Sequence, residues 1–357
     1  MTPGLAATPY PQVSALKSGL GKTSPSFSTS QPDQSPVPSL AALWAKKYYS
    51  SVTSVEEQPQ PSNTHDFKEV TTTEGRQNTA KKLMDKLTLA SAQAWSMTET
   101  LLSEEIRRHG INPDLINPLE IAADTRYLFQ KVLEAYAERS TPRRLSVIVG
   151  KDFGQVRQKY TRVDRRAIGF VSMQFHHTGQ KLLQWLSNPE QILWKPYLKV
   201  MDDHMYMPLQ AAYEAAANHP YDSEALTAVR HLLPVSSKIA VSVCQQICHL
   251  HPNYKTYSGS LHEVQVKTAS IRDAEMFQVY LCLCVLENHI QSVQQELFPL
   301  CVMLYPCLNV SWKLVQDMLQ VMGWQMHERL PPEQMATFLP YLRVFSEMFA
   351  SDVFQND

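Results

Sequence analysis

No apolar run in this 357-residue chain is long enough to cross a bilayer. The longest, MFQVYLCLCVL (276–286) and LFPLCVMLYPCL (297–308), fall well short of the roughly 20 residues a membrane helix needs, and the second holds two prolines. The first residues lack the basic start and apolar core of a secretory signal, so a soluble protein is expected. Net charge is missing too: 33 basic side chains face 34 acidic ones, so the overall balance names no partner. Cysteine is sparse. Cys244, Cys248, Cys282, Cys284, Cys301 and Cys307 never form the CxxC pairs of strong zinc modules, and a chain this long needs no disulfide scaffold. Reduced thiols and a cytoplasmic location follow as expectations.

Signatures of catalysis are equally scarce. There is no Gly-x-Ser-x-Gly, no His-Glu-x-x-His, and none of the Glu-x-x-His pairs from which helical di-iron sites are built. GLGKTS (19–24) imitates a phosphate loop, but the earlier glycine that motif requires would stand where Leu16 does. No cofactor is expected.

What is present is an organisation. Residues 1–75 carry nine of the 23 prolines with dense Ser, Thr and Gln, a composition that cannot bury enough apolar surface to offset the entropy of ordering. This segment reads as a disordered tail. Within it lies one apolar motif, 39–49, in which Ser39 caps a short helix and Leu40, Leu43, Trp44 and Tyr48 share a face, with Lys46 and Lys47 off that stripe. Two turns do not persist alone in water, so the motif either docks on its own domain or enters a partner's groove.

From residue 76 onward the periodicity is helical: one long helix ending near Gly110, a second over 119–139, and further helices over 163–187, 190–218 with a break at Pro208, 222–250, 271–297, 309–328 and 332–350. RRLSVIVG (143–150) is the one strand candidate, and a lone strand leaves its edges unpaired, so a packed loop is expected there. The fold class is all-α, an irregular multi-helix bundle over 76–357 with a possible subdivision near 140–165. Ten of the 14 methionines lie at or beyond Met201, where core filling accounts for them.

Charge is segregated. Residues 139–166 hold nine basic side chains against two acidic ones, whereas 190–357 hold ten basic and 17 acidic. Arg143, Arg144, Lys151, Arg157, Lys159, Arg162, Arg165 and Arg166 therefore either face the acidic C-terminal body or solvent, or form a candidate surface for an acidic protein. Nucleic acid is the alternative partner, with Phe153 and Tyr160 available for stacking, although no nucleic-acid-binding motif surrounds them. The sharpest chemical candidate is a ligand pocket of His176, His177, Asp202, Asp203 and His204, with Pro208 freeing a carbonyl nearby, although a buried histidine satisfied by a neighbouring aspartate explains the same residues more cheaply. Cys244, Cys248, His249 and His251 form a weaker zinc candidate, because the cysteines share an apolar stripe. The reading favoured by these features is a non-catalytic interaction or adaptor protein. The alternatives are a helical enzyme or sensor using the Asp/His cluster, and a nucleic-acid-associated regulator using the basic segment.

Overall fold

Local chemistry at the helix ends decides where the chain turns. The computed structural model describes residues 39–48 and 64–350. Its helices are α1 (Leu40–Ala45), α2 (Thr64–Thr71), α3 (Thr73–Arg108), α4 (Pro118–Ala137), α5 (Pro142–Thr161), α6 (Ala167–Leu183) and α7 (Asn188–Tyr206). There follow α8 (Leu209–Ala217), α9 (Glu224–Leu232), α10 (Ser236–Leu250), α11 (Val264–Glu287), α12 (Phe298–Cys307), α13 (Trp312–Arg329) and α14 (Pro332–Met348). A π-helical turn, Val293–Leu297, precedes α12, and a minimal hairpin pairs β1 (Lys255–Thr256) with β2 (Gly259–Ser260).

Side-chain caps and prolines start the helices. The Thr72 hydroxyl accepts from the Gly75 N–H at 3.0 Å, and Asn117 accepts from Leu119 and Glu120 just before Pro118. Ser187 and Glu190 form a reciprocal capping box, in which the Glu190 carboxylate accepts from the Ser187 N–H at 2.7 Å. At the end of α3, Gly110 takes a left-handed φ of 61°, which lets the Ile111 N–H bond back to the Ile106 carbonyl at 2.9 Å.

The all-α reading holds. The fully buried face of α3 (Leu83, Leu87, Ala90, Ala94, Leu102) packs against α6 and α4. In this seam the Gln174 amide donates to both the carbonyl and the hydroxyl of Ser91 at 2.9 Å. Farther along the chain, α10 lies against α11 and α13, and α14 covers α9, α11 and α13. The two groups of helices meet where α8 packs on both α5 and α11. Met322 and Met326 are fully buried in α13, as core filling requires.

Three expectations need correction. RRLSVIVG is neither strand nor loop but the first half of α5. Thr141 caps this helix by accepting from the Arg144 N–H, Pro142 occupies the first turn, and Leu145, Val149, Phe153, Val156 and Tyr160 are buried at helical spacing. The β-branched run misled because Val147 and Ile148 are exposed, at 55% and 47%, and contribute nothing to that core. Residues 64–75, assigned to the tail by composition, lie in α2 and the start of α3. The remainder of the tail, apart from 39–48, falls outside the described residues. Nor does a division appear near 140–165, because the described residues belong to one unit and α5 sits inside it.

Candidate functional site

The motif at 39–48 is docked on its own chain. Ser39 accepts from the Ala42 N–H at 3.3 Å, and Leu40, Trp44 and Tyr48 are buried against α5, α8 and the turn at Leu233–Val235, with Leu43 half-buried at the edge. The Trp44 indole N–H donates to the Tyr48 hydroxyl at 3.1 Å, which donates in turn to Asp203 at 2.8 Å. Lys47 also turns inward, against the expectation that it lies off the stripe. Its ammonium is 3.7 Å from the centre of the Trp44 ring, 3.0 Å from Asp203 and 2.9 Å from Glu275. Lys199 lies 3.1 Å from each of the same two carboxylates, and Ser237 donates to Glu275 at 2.5 Å.

Two ammonium groups and two carboxylates thus close a buried network in which every charge has two opposite neighbours. Burial lowers the Lys47 pKa despite the two carboxylates, whereas at Lys199 the carboxylates outweigh burial and raise it. Burial works against ionised Asp203 and Glu275, but Lys199 and Lys47 hold both below the usual carboxylate range. Lys47, Lys199 and Glu275 were missed by sequence reasoning. The i, i+4 spacing of Lys199 and Asp203 was visible; the closing contacts are not local.

The Asp/His cluster divides into separate networks. Asp202 pairs with His176 at 3.3 Å, Asp203 serves the lysines, and His204 faces α5. There its Nδ1 lies 2.8 Å from the Val200 carbonyl and its Nε2 lies 3.3 Å from the Ser146 hydroxyl, which makes Nδ1 the protonated nitrogen. Burial lowers the His204 pKa, and burial followed by the neighbouring His176 and Lys181 pushes His177 down to about 4. The five side chains therefore do not converge on one ligand. The chain does break at Pro208, as its ring requires, and the Met205 carbonyl just before the break accepts from Arg157.

The zinc candidate does not close into a metal site, although Cys244, Cys248 and His249 line one pocket. The Cys248 thiol donates to the Leu261 carbonyl at 3.2 Å, Cys244 faces the Lys267 carbonyl, His251 pairs with Asp317 at 2.8 Å, and His249 is exposed. Burial raises the Cys244 thiol to about 11. Among the described residues no group of three His, Cys, Asp or Glu side chains is arranged to hold a metal.

The basic segment sorts itself by helix face. Arg157 is buried on α5, where it pairs with Glu296 at 2.5 Å beside the Tyr280 hydroxyl. Lys159 pairs with Asp124 at 2.8 Å, Arg166 with Asp164 at 2.7 Å, and Arg165 lies 3.9 Å from Glu296. Arg143, Arg144, Lys151 and Arg162 are exposed and have no ion pair among the described residues. Lys151, Arg157, Lys159, Arg162 and Arg165 line one open groove of about 1090 Å³, bounded by α5, α8, the end of α11 and the π-helical turn. Glu214, Glu287 and Glu296 line the same groove, and burial raises the Glu287 carboxyl above its usual range. Sequence reading found the charges but not the groove, because its far wall comes from α8 and α11.

No helix among the described residues is long and apolar enough to cross a membrane. Comparison with protein-family models, with curated proteins and with solved structures finds no match.

Proposed function

We propose that this chain is a non-catalytic helical interaction protein that receives an acidic segment of a partner protein in the groove along α5. The observation supporting this reading is that Lys151 and Arg162, both exposed and without ion pairs among the described residues, sit on that groove beside the loosely paired Arg165. Their charge is not consumed by the fold and is available to a partner. The three glutamates in the same groove favour a polypeptide over a nucleic acid, because a uniform row of phosphates would meet carboxylates at fixed intervals. Acidic side chains spaced along a peptide can reach the cations and leave the glutamates opposite neutral or basic positions. A cytoplasmic adaptor role belongs to the same proposal.

The test is a labelled Glu-rich peptide titrated against the full chain and against Lys151→Glu with Arg162→Glu. Each rim pair contributes about 0.2–1 kcal/mol, and reversal replaces attraction by repulsion, so the double variant should bind about tenfold more weakly. Its unfolding midpoint should not move. Equal binding by the two proteins, or stronger binding of a single-stranded oligonucleotide than of the peptide, would refute the assignment.

A further inference from the structure

Residues 39–48 behave as a ligand that happens to share the chain of its receptor. The α1 helix has six residues, too short to hold its shape without the surface it lies on. That surface is assembled without it: α5 packs on α7 and α8, and α11 packs on α8 and α10, through contacts that do not involve the segment. Nor is the floor left stranded when the segment leaves. Lys199 reaches both Asp203 and Glu275, and Ser237 still caps Glu275. One cation then serves two carboxylates, so the vacated pocket carries a net negative charge. It also keeps a spare polar group, because the buried Tyr213 hydroxyl on α8 has no hydrogen-bond partner among the described residues.

We propose that this pocket is a receptor for a short helical segment presenting Trp, Lys and Tyr at the spacing of Trp44, Lys47 and Tyr48, closed in cis by this chain and open in trans to the same segment of a second copy. Selectivity follows from the chemistry on both sides. The indole and phenol fill the apolar walls, the phenol donates to Asp203, and the ammonium restores the balance of two cations to two carboxylates. A segment without the lysine would bury one negative charge uncompensated, which is far costlier than losing a surface pair. Covalent attachment favours the resident copy, and exchange between copies is the ordinary route by which such a contact joins two identical chains. This inference is independent of the groove along α5.

The test uses the full chain with Trp44→Ala, Lys47→Ala and Tyr48→Ala combined, which vacates the pocket in place. A fluorescent peptide of residues 38–49 should bind this variant and bind the unaltered chain at least about tenfold more weakly, because the site there is filled. The same peptide with Lys47→Met should lose at least about a hundredfold in affinity for the vacated variant. On the unaltered chain, hydrogen exchange should open the amides of 43–47 at least about tenfold faster than those of α7. A folded variant that ignores the peptide, or equal binding by both proteins, overturns the proposal. So does a variant that loses its helical circular dichroism, or exchange of 43–47 only together with α7, since either result makes the segment part of the core.

Discussion

Replacing Arg157 by methionine should destabilise the protein strongly, whereas exposed basic residues of the same helix, such as Lys151, can be changed at little cost. The guanidinium is 6% exposed and donates to the Met205 carbonyl and the Glu296 carboxylate, with the Tyr280 hydroxyl 3.4 Å away. It thereby ties α5 to the end of α7, to α11 and to the π-helical turn. Methionine keeps much of the volume but leaves Glu296, itself 7% exposed, facing a phenol that already donates to it at 2.6 Å. Removing one partner of a buried pair costs about 3–5 kcal/mol. Arg165 lies 3.9 Å from the other Glu296 oxygen and can move in, which argues for the lower end, about 3 kcal/mol. For a folded body of about 290 residues, an unfolding entropy of about 2.1 cal/mol/K per residue converts this into a melting temperature lower by about 5 °C. Urea unfolding followed by circular dichroism reads the same change as a shifted midpoint. Adding Glu296→Gln should recover most of the loss, because no uncompensated charge then remains. A midpoint for Arg157→Met equivalent to less than about 0.5 kcal/mol of destabilisation would refute the reasoning, as would a double variant no better than the single one. Lys151→Met and Arg162→Met, at exposed positions earlier on α5 and just beyond its end, should stay within about 0.5 kcal/mol of the starting protein.

Stability should also fall on mild acidification. The His177 pKa is lowered in the folded state to about 4, so the unfolded chain binds more protons between pH 6.5 and 4 and stability declines as pH drops through that window. His177 is partly exposed, so its share should be about 1–2 kcal/mol, seen as a urea midpoint that falls from pH 7 to 4.5 and falls less in His177→Gln; an unchanged slope would exclude it. Gly154→Ala should destabilise despite the helix propensity that favours alanine by about 1 kcal/mol. A methyl group there would meet Cβ and Cγ of Gln210 on α8 at 2.5 Å, so the expected loss is about 1–3 kcal/mol, and a gain in midpoint would show that α5 and α8 can separate freely.

Much of this fold was legible because its signals are local. Long periodic helices announce themselves through residues such as Leu83, Leu87, Leu101 and Leu102, and Pro208 ends α7 wherever the rest of the chain goes. The first half of α5 was misread because valine and isoleucine usually mark a pleated surface, whereas here Val147 and Ile148 point to solvent. The stronger signal was Thr141-Pro142, a cap followed by a proline in the first turn. The motif at 39–48 was legible as an amphipathic turn with Leu40, Trp44 and Tyr48 on one side, but nothing in ten residues could show where Lys47 ends. That depends on Asp203 and Glu275, which lie far away in sequence. The Asp/His cluster failed for a related reason. Three consecutive helical residues point about 100° apart, so Asp202, Asp203 and His204 cannot serve one ligand without distorting α7.

The same geometry explains how α5 keeps a charged surface inside a nearly neutral protein. At 100° per residue, Leu145, Val149, Phe153, Val156 and Tyr160 form the buried stripe, and Arg157 at its edge is the one basic residue of this helix drawn inside. Its charge is cancelled by Glu296 from the acidic half of the chain, and Lys159 is cancelled by Asp124 on α4. Among the described residues, positions that face away from the stripe meet no such partner. Arg143, Arg144 and Lys151 therefore keep their charge, and Arg162 just beyond the helix keeps its own. The two blocks of opposite charge do not annihilate each other on folding, because only the members on facing sides come together. What survives is a basic ridge beside a groove, the surface that the proposed acidic partner would meet.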